Sequence, residues 1–308
     1  MKVVCFVLAF LLIVFALVPY MLTICDNDKT DSGDVIISLY NKKKDKIENV
    51  GLEKYLVYVV SAEMPSSFSP EALKAQAVAA RTYALKKINK NLPEHKKADL
   101  CTDFAHCQAY SDDEELKEKW GKSYGANIKK VKQAVEQTKG EYLSYNGDYA
   151  ITVFHSCSNG FTEKASEVWG GDYSYLKSVE SPGDYEKKDY ITKNKFTESE
   201  FKKIIKDHFP DADFSKSTIG DICYTSGSNI KNICIYGQKI SGNDMRKIFS
   251  LKSSAFSLDI KNKSFVFTVA GNGHGVGMSQ YGAEKMAQNG KKYSDILYHY
   301  YPGTKLLK

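Results

Sequence analysis

Arginine is almost missing from this chain. Of its 43 basic residues only two, Arg81 and Arg246, are arginines, and lysine serves everywhere else. The plain reading is a lysine-biased genome. The sharper reading is that these two positions need the planar guanidinium fork, which lysine cannot mimic. A strong charge of one sign is also lacking: the net charge is +6. With no clustered basic helix and no aromatic nucleic-acid motif, this weighs against a nucleic-acid partner. It suits a domain that works near anionic surfaces. There is no internal repeat, and no low-complexity tract beyond one apolar run at the start. The 308 residues suffice for one large domain or two medium ones.

That apolar run is the first thing the sequence does have. After Lys2, no charge occurs from Val3 to Cys25, long enough to span a bilayer as a helix. The exit, P-Y-M-L-T-I-C-D, lacks the small residues of a signal-peptidase site, and Ile24 before Cys25 makes a poor lipobox. Residues 1–28 are therefore expected to be an uncleaved membrane anchor. Lys2 then places the remainder outside the cytoplasm. Of seven cysteines, Cys5 and Cys25 lie in the anchor; Cys101, Cys107, Cys157, Cys223 and Cys234 are exported, where thiols pair or bind metal.

Beyond a polar linker (26–33), residues 34–50 read as a strand, a lysine-rich turn and a second strand. "LEKYLVYVVSAE" carries helical apolar spacing and runs into Glu63, Met64 and Pro65. Ser69 then N-caps a helix with Pro70 at its first position. Its many alanines make it slim enough to pack centrally, and Arg81 lies on it. Residues 89–113 form a loop rich in His and Cys, and a helix is expected over 126–138. Asn146-Gly147 turns a hairpin. A smaller, lysine-rich lobe is expected over 186–239, with a helix at 198–208. The catalytic core would comprise 29–185 and 240–308. The fold expected is mixed α+β, two-lobed, with a substrate groove.

Four features carry possible chemistry. Glu63 sits among Val59, Val60, Ala62, Met64 and Pro65, an apolar setting that raises a carboxyl pKa and suits a proton donor. The alternative is a helix-end glutamate facing water. The loop "GNGHGVGMSQYGA" has the wrong glycine spacing for a dinucleotide fold, but its strand-loop-helix setting suits a substrate-site loop whose N–H groups hold a polar or anionic ligand. His95, Cys101, His106 and Cys107 offer two imidazoles and two thiolates, a possible closed structural zinc site; a Cys101–Cys107 disulfide, or neither, remains open. Cys157 reads as a buried free thiol, and Cys223 and Cys234 could pair across a hairpin or face a core.

Read together, "SAEMP…ALKAQAVAARTYAL", "CQAY", "FHSCSNGFTEKASEVW", "YLKSVESPGD" and "GHGVGMSQYGA" resemble the stage II sporulation protein D family, cell-wall proteins of endospore formers related to amidase enhancers. The resemblance runs from about residue 35 to the C-terminus and includes the anchor. One departure is Asn159, where members often carry glycine. The resemblance implies a lytic transglycosylase that cleaves the MurNAc–GlcNAc bond of peptidoglycan to 1,6-anhydro products. One acid does this work, whereas ordinary glycosidases use two. Glu63 matches the family's catalytic glutamate. Arg81 would orient Glu63 or the sugar, and Ser156, Lys177, His274, Gln280 and Tyr281 would line the groove. The resemblance further implies peptide-stripped glycan as substrate, stage II sporulation proteins P (an amidase) and M as partners, and a mother-cell membrane location facing the forespore. The competing reading is a wall-binding amidase activator without catalysis.

Overall fold

Two strands open the described chain: β1 (Ile36–Asn41) and β2 (Lys46–Gly51), joined through Asp45 at φ 50°. The computed structural model describes residues 34–308 apart from 89, 91 and 172. The expected anchor lies outside the described residues; among these, no helix is long and apolar enough to cross a membrane.

Helix α1 (Leu52–Glu63) buries Leu52, Tyr55, Leu56, Val59 and Val60, a three-and-four spacing that makes one face. It stops at Met64, which is extended at φ −115° and ψ 145°, because Pro65 excludes the helical conformation from the residue before it. Helix α2 (Pro70–Lys87) follows and is buried on nearly every side. Its alanines admit close neighbours, as the sequence suggested. Ser69 occupies the N-cap position, but its side chain makes no cap bond; its N–H and hydroxyl reach Glu284 at 2.5 and 3.0 Å instead.

Strand β3 (Leu100–Cys101) pairs parallel with β1. Helix α3 (Asp113–Trp120) starts from a capping box between Asp112 and Glu115, and α4 (Tyr124–Gln137) packs beside α1 and α2. Strands β4 (Tyr142–Tyr145) and β5 (Asp148–Tyr149) turn through Asn146 and Gly147, both at positive φ as an Asn-Gly hairpin requires. Strand β6 (Phe154–His155) and the one-turn α5 (Ala165–Val168) complete this stretch.

Then comes a second cluster. Strand β7 (Ile191–Thr197) leads into α6 (Glu198–His208), capped reciprocally by Thr197 and Glu200. Strands β8 (Ile219–Tyr224), β9 (Ile230–Ile235) and β10 (Gln238–Ser241) form a meander. Helix α7 (Gly242–Ile248) and the hairpin β11 (Phe256–Lys261) and β12 (Ser264–Ala270) follow, with β12 pairing back onto β7. The core here is aromatic: Phe201 stacks on Phe265 at 3.9 Å and on Phe249 at 4.9 Å. This cluster draws on residues from Phe196 to Val269, so it runs past the lobe boundary expected at 239. The reason is pairing: β10 cannot leave β9, nor β12 leave β7, without breaking a ladder.

The chain returns through a glycine loop to β13 (Met278–Ser279), parallel to β6, then α8 (Gln280–Gln288), α9 (Tyr293–Tyr300) and β14 (Lys305–Leu307) on β4. The first core therefore combines residues 37–176 with 276–301. All five described cysteines are free. Register sets Cys223 opposite Asn232 and Cys234 opposite Lys239, so the two thiols do not meet across the hairpin.

Candidate active site

Because α1 must end before Pro65, Glu63 is its last residue, at the mouth of an open groove of about 410 Å³. Its two oxygens are held from opposite ends of the chain. Ala109 donates its backbone N–H to Oε1 at 2.7 Å, and the Gln280 side-chain amide donates to Oε2 at 3.3 Å. Burial raises the carboxyl pKa above its ordinary value, against the pull of these two donors. The negative end of the α1 dipole acts in the same direction. Gln280 leads α8 and also contacts Gln76 of α2 at 3.5 Å.

Ser156, Gln280 and Tyr281 line the groove, as do Ser66, Ser67, Lys119 and Trp120. Tyr281 is braced edge-on by Phe68 at 5.1 Å, with the Lys187 ammonium 5.9 Å from its ring, and its N–H donates to the Ser156 carbonyl. Beneath, buried Asp184 accepts bonds from the Ser158 N–H, the Ser158 hydroxyl and the Ser279 hydroxyl, tying β6 to the start of α8. Cys157 is buried and free, and burial pushes its thiol up to about 11, which leaves it a poor nucleophile.

The glycine loop serves packing. A Cβ on Gly277 would stand 2.0 Å from the Val153 carbonyl oxygen, and one on Gly273 would stand 2.6 Å from the His155 Cβ. The loop thus lies flat on β6. Its N–H groups at Gly271, Asn272 and Gly273 go to the carbonyls of Tyr190, Cys157 and Lys252, so these three do not face a ligand.

Three expected site residues stand elsewhere. Arg81 is 1% exposed and clamps Glu53 bidentately, Nε to Oε1 at 2.8 Å and Nη2 to Oε2 at 2.6 Å. Its other bonds go to the carbonyls of Glu141 and Val135, so this guanidinium fastens α2 to α1 and α4 and orients Glu53, not Glu63. Lys177 is exposed and does not line the groove; its carbonyl accepts from Thr162. His274 packs on Trp169 at 4.9 Å and on His155 at 5.7 Å, also away from the residues that line the groove.

A separate cluster sits in the loop after α2. Donor atoms of His95, Cys101 and Cys107 lie within 4.8 Å of one another, and the Cys107 sulfur is 3.4 Å from the His95 Nε2. The proximity of Cys107 holds the Cys101 thiol down at about 6, and that of Cys101, with burial, pushes the Cys107 thiol up. His106 is exposed and stands off, its ring centred 6.2 Å from that of His95. Two sulfurs and an imidazole nitrogen at this spacing fit a tetrahedral zinc, whose ligand atoms stand about 3.6 Å apart.

This geometry can be set beside known proteins. A family model described as stage II sporulation protein matches residues 40–145, the segment holding Glu63, Ala109 and the His/Cys cluster. The chain is 38% identical to the stage II sporulation protein D of Bacillus subtilis (strain 168), covering 89% of this chain and 80% of that one. The chain belongs to the stage II sporulation protein D family. The protein of the same name from Bacillus amyloliquefaciens is also 38% identical, over 88% of this chain and 78% of its own. The amidase enhancer of B. subtilis is 31% identical over 80% of this chain but only 39% of its own length. What sequence reasoning missed in this family member is the far wall of the groove, Lys119 and Trp120. They arrive at the end of α3, which the Asp112-x-x-Glu115 capping pair announces. No local signal places that end beside Glu63.

Proposed function

We propose that this protein is a lytic transglycosylase that cleaves the MurNAc–GlcNAc bond of peptide-stripped peptidoglycan strands, leaving 1,6-anhydro ends, during the engulfment stage of sporulation. The observation that carries this reading is that Glu63 is the one carboxylate among the described residues lining the groove. A hydrolytic glycosidase pairs two carboxylates, about 5–9.5 Å apart, one of them to activate water or form a covalent intermediate. A lone acid suits a reaction in which the sugar supplies its own nucleophile.

The residues give the steps. Glu63, whose carboxyl pKa burial raises above its ordinary value, donates its proton to the glycosidic oxygen as the C1–O bond breaks and the GlcNAc hydroxyl departs. Oε2 is the more loosely held oxygen and the one free to carry that proton. The resulting carboxylate takes the proton of the sugar C6 hydroxyl while its oxygen closes onto C1. Water is not consumed, and the acid is regenerated. Trp120 and Tyr281 offer ring faces for sugars along the groove. In the same proposal His95, Cys101 and Cys107 hold a structural zinc, with the exposed His106 side chain turning in as fourth ligand. The apolar run from Val3 to Cys25 tethers the protein to the mother-cell membrane, and the family's amidase (protein P) and protein M are its partners.

The amidase enhancer relative favours a second reading, a wall-binding activator without catalysis. One experiment separates them. Purified, peptide-stripped glycan strands are incubated with wild type or Glu63→Gln and read by mass spectrometry. Anhydro-ended fragments from wild type alone support the transglycosylase. Binding without cleavage by both proteins supports the activator, and hydrated reducing ends would overturn the single-acid chemistry.

A further inference from the structure

Helix α3 carries two lysines and treats them differently. Lys117 pairs with Asp113, one turn before it, at 2.6 Å. Lys119 has Glu115 at the same spacing, but Glu115 is already engaged. Its Oε2 accepts the Asp112 N–H and its Oε1 the Lys43 ammonium, both at 3.1 Å. The Lys119 ammonium turns to the end of α1 instead and donates to the Ser61 carbonyl at 3.4 Å. That carbonyl is open because the residue four places on, whose N–H would close the helical bond, is Pro65. One proline thus ends the helix at Glu63 and draws a cation to the same helix end.

A cap on α1 is the plain reading of this contact, and two features go beyond it. Lys119 lines the groove together with Glu63 and Trp120. When Glu63 carries its proton, Lys119 holds the one charge among the described residues of that lining. An ammonium also has three N–H donors, and the carbonyl takes one of them. The groove therefore presents a positive donor with no ion-pair partner among the described residues, next in the chain to an indole whose face suits a sugar ring. A saccharide that bears a carboxylate matches both.

Glycan strands carry such a group conditionally. The lactyl acid of each muramic acid is an amide while the stem peptide is attached, and a carboxylate once that amide is hydrolysed. We infer that Lys119 reads this carboxylate in the groove, so that peptide-stripped strands are selected in part by charge, at one residue. The identity of the anion rests on the proposed glycan substrate. That the groove favours an anionic strand over a neutral one of similar shape does not.

The sequence has two tryptophans, so the full chain with Trp169→Phe reports on the groove through Trp120 alone. Glu63→Gln is added to prevent turnover. Indole fluorescence is titrated with peptide-stripped strands, either native or with their lactyl carboxylates converted to methylamides. Half-saturation is expected to weaken about fivefold on amidation, the upper scale of one ion pair open to solvent. Lys119→Gln keeps a donor for the Ser61 carbonyl and removes the charge, so it should bind both strands alike, at the amidated level. Lys119→Arg should keep the preference. Equal binding of native and amidated strands by the protein with Lys119 overturns the inference, as does a preference that survives Lys119→Gln or a Trp120 signal that ignores both strands. The two readings fail separately. If wild type leaves anhydro ends on both strands at equal rates, the transglycosylase stands and the role of Lys119 falls. If Trp120 shows the charge preference and wild type cleaves neither strand, the role of Lys119 stands and the transglycosylase falls. The amidated strands need no lysine variant, so a misfolded Lys119→Gln leaves the test standing.

Discussion

Replacing Arg81 by methionine tests whether this arginine belongs to the fold or to the chemistry. Methionine keeps most of the side-chain volume and removes the fork. In the native protein the Arg81 side chain is 1% exposed and Glu53 15% exposed, at 2.6 Å. Taking away one member of such a pair costs about 3–5 kcal/mol, although Glu53 keeps the Gly140 N–H at 3.3 Å. Partial exposure of Glu53 favours the lower end. The carbonyls of Val135 and Glu141 lose their donor too, which pushes the cost back up.

At roughly 2–4 °C per kcal/mol for a domain approaching this size, the melting temperature should fall by about 6–20 °C. Thermal unfolding followed by circular dichroism reads this directly. Adding Glu53→Leu should recover a large part of the loss, because a buried ion pair replaced by apolar side chains is close to neutral. Arg81→Lys should recover little, since an ammonium cannot serve both carboxylate oxygens and two carbonyls at once. Were Arg81→Met to melt within about 2 °C of wild type and yet fail to cleave glycan, the structural account would be refuted and the role in chemistry restored.

The pKa shift at Glu63 makes a prediction about stability. Its ordinary value is 4.5 and burial raises it, so the folded state holds a proton that the unfolded state has released. That contribution is fully present below about 4.5 and is lost as pH rises through the raised value. Denaturant unfolding from pH 4 to 8 should therefore show Glu63→Gln gaining on wild type as pH rises; a constant difference would contradict the shift. Metal analysis should find one zinc per chain, absent in Cys101→Ser, and chelation should lower the melting temperature without changing the chemical nature of the products. Gly277→Ala should cost about 2–3 kcal/mol in the same unfolding assay, since φ is +73° and the new Cβ would meet the Val153 carbonyl oxygen at 2.0 Å.

Local chemistry made several elements legible. The Leu52–Glu63 helix, the Ser69-Pro70 start, the Asn146-Gly147 turn and the Glu198–His208 helix are all where spacing and capping put them. What stayed hidden depends on contacts between distant residues. Glu53 looks like any surface acid on a helix, and only the packing of α1 against α2 reveals it as the partner of Arg81, 28 residues on. The alternating glycines fit a ligand cradle and a close-packed loop equally well until β6 is seen pressing on them. The packing of the second lobe past 239 was not legible because it depends on strand pairing, which continues to Ala270.

The arrangement around Glu63 ties the chemistry to the two parts of the sequence that look least alike. Oε1 depends on the Ala109 N–H, 46 residues away, and Oε2 on Gln280, 217 residues away. Ala109 follows Cys107 by two residues, so whatever fixes the His95–Cys101–Cys107 loop also fixes the donor that holds the acid. Gln280 follows Ser279, whose hydroxyl is anchored on buried Asp184, so the packed glycine loop fixes the other donor. In the proposed reaction neither the His/Cys loop nor the glycine loop contributes a reacting atom. Each sets the position of one oxygen of a single carboxyl group. In the proposed reaction one acid gives a proton and then takes one back, and with no second carboxylate lining the groove it depends on both placements.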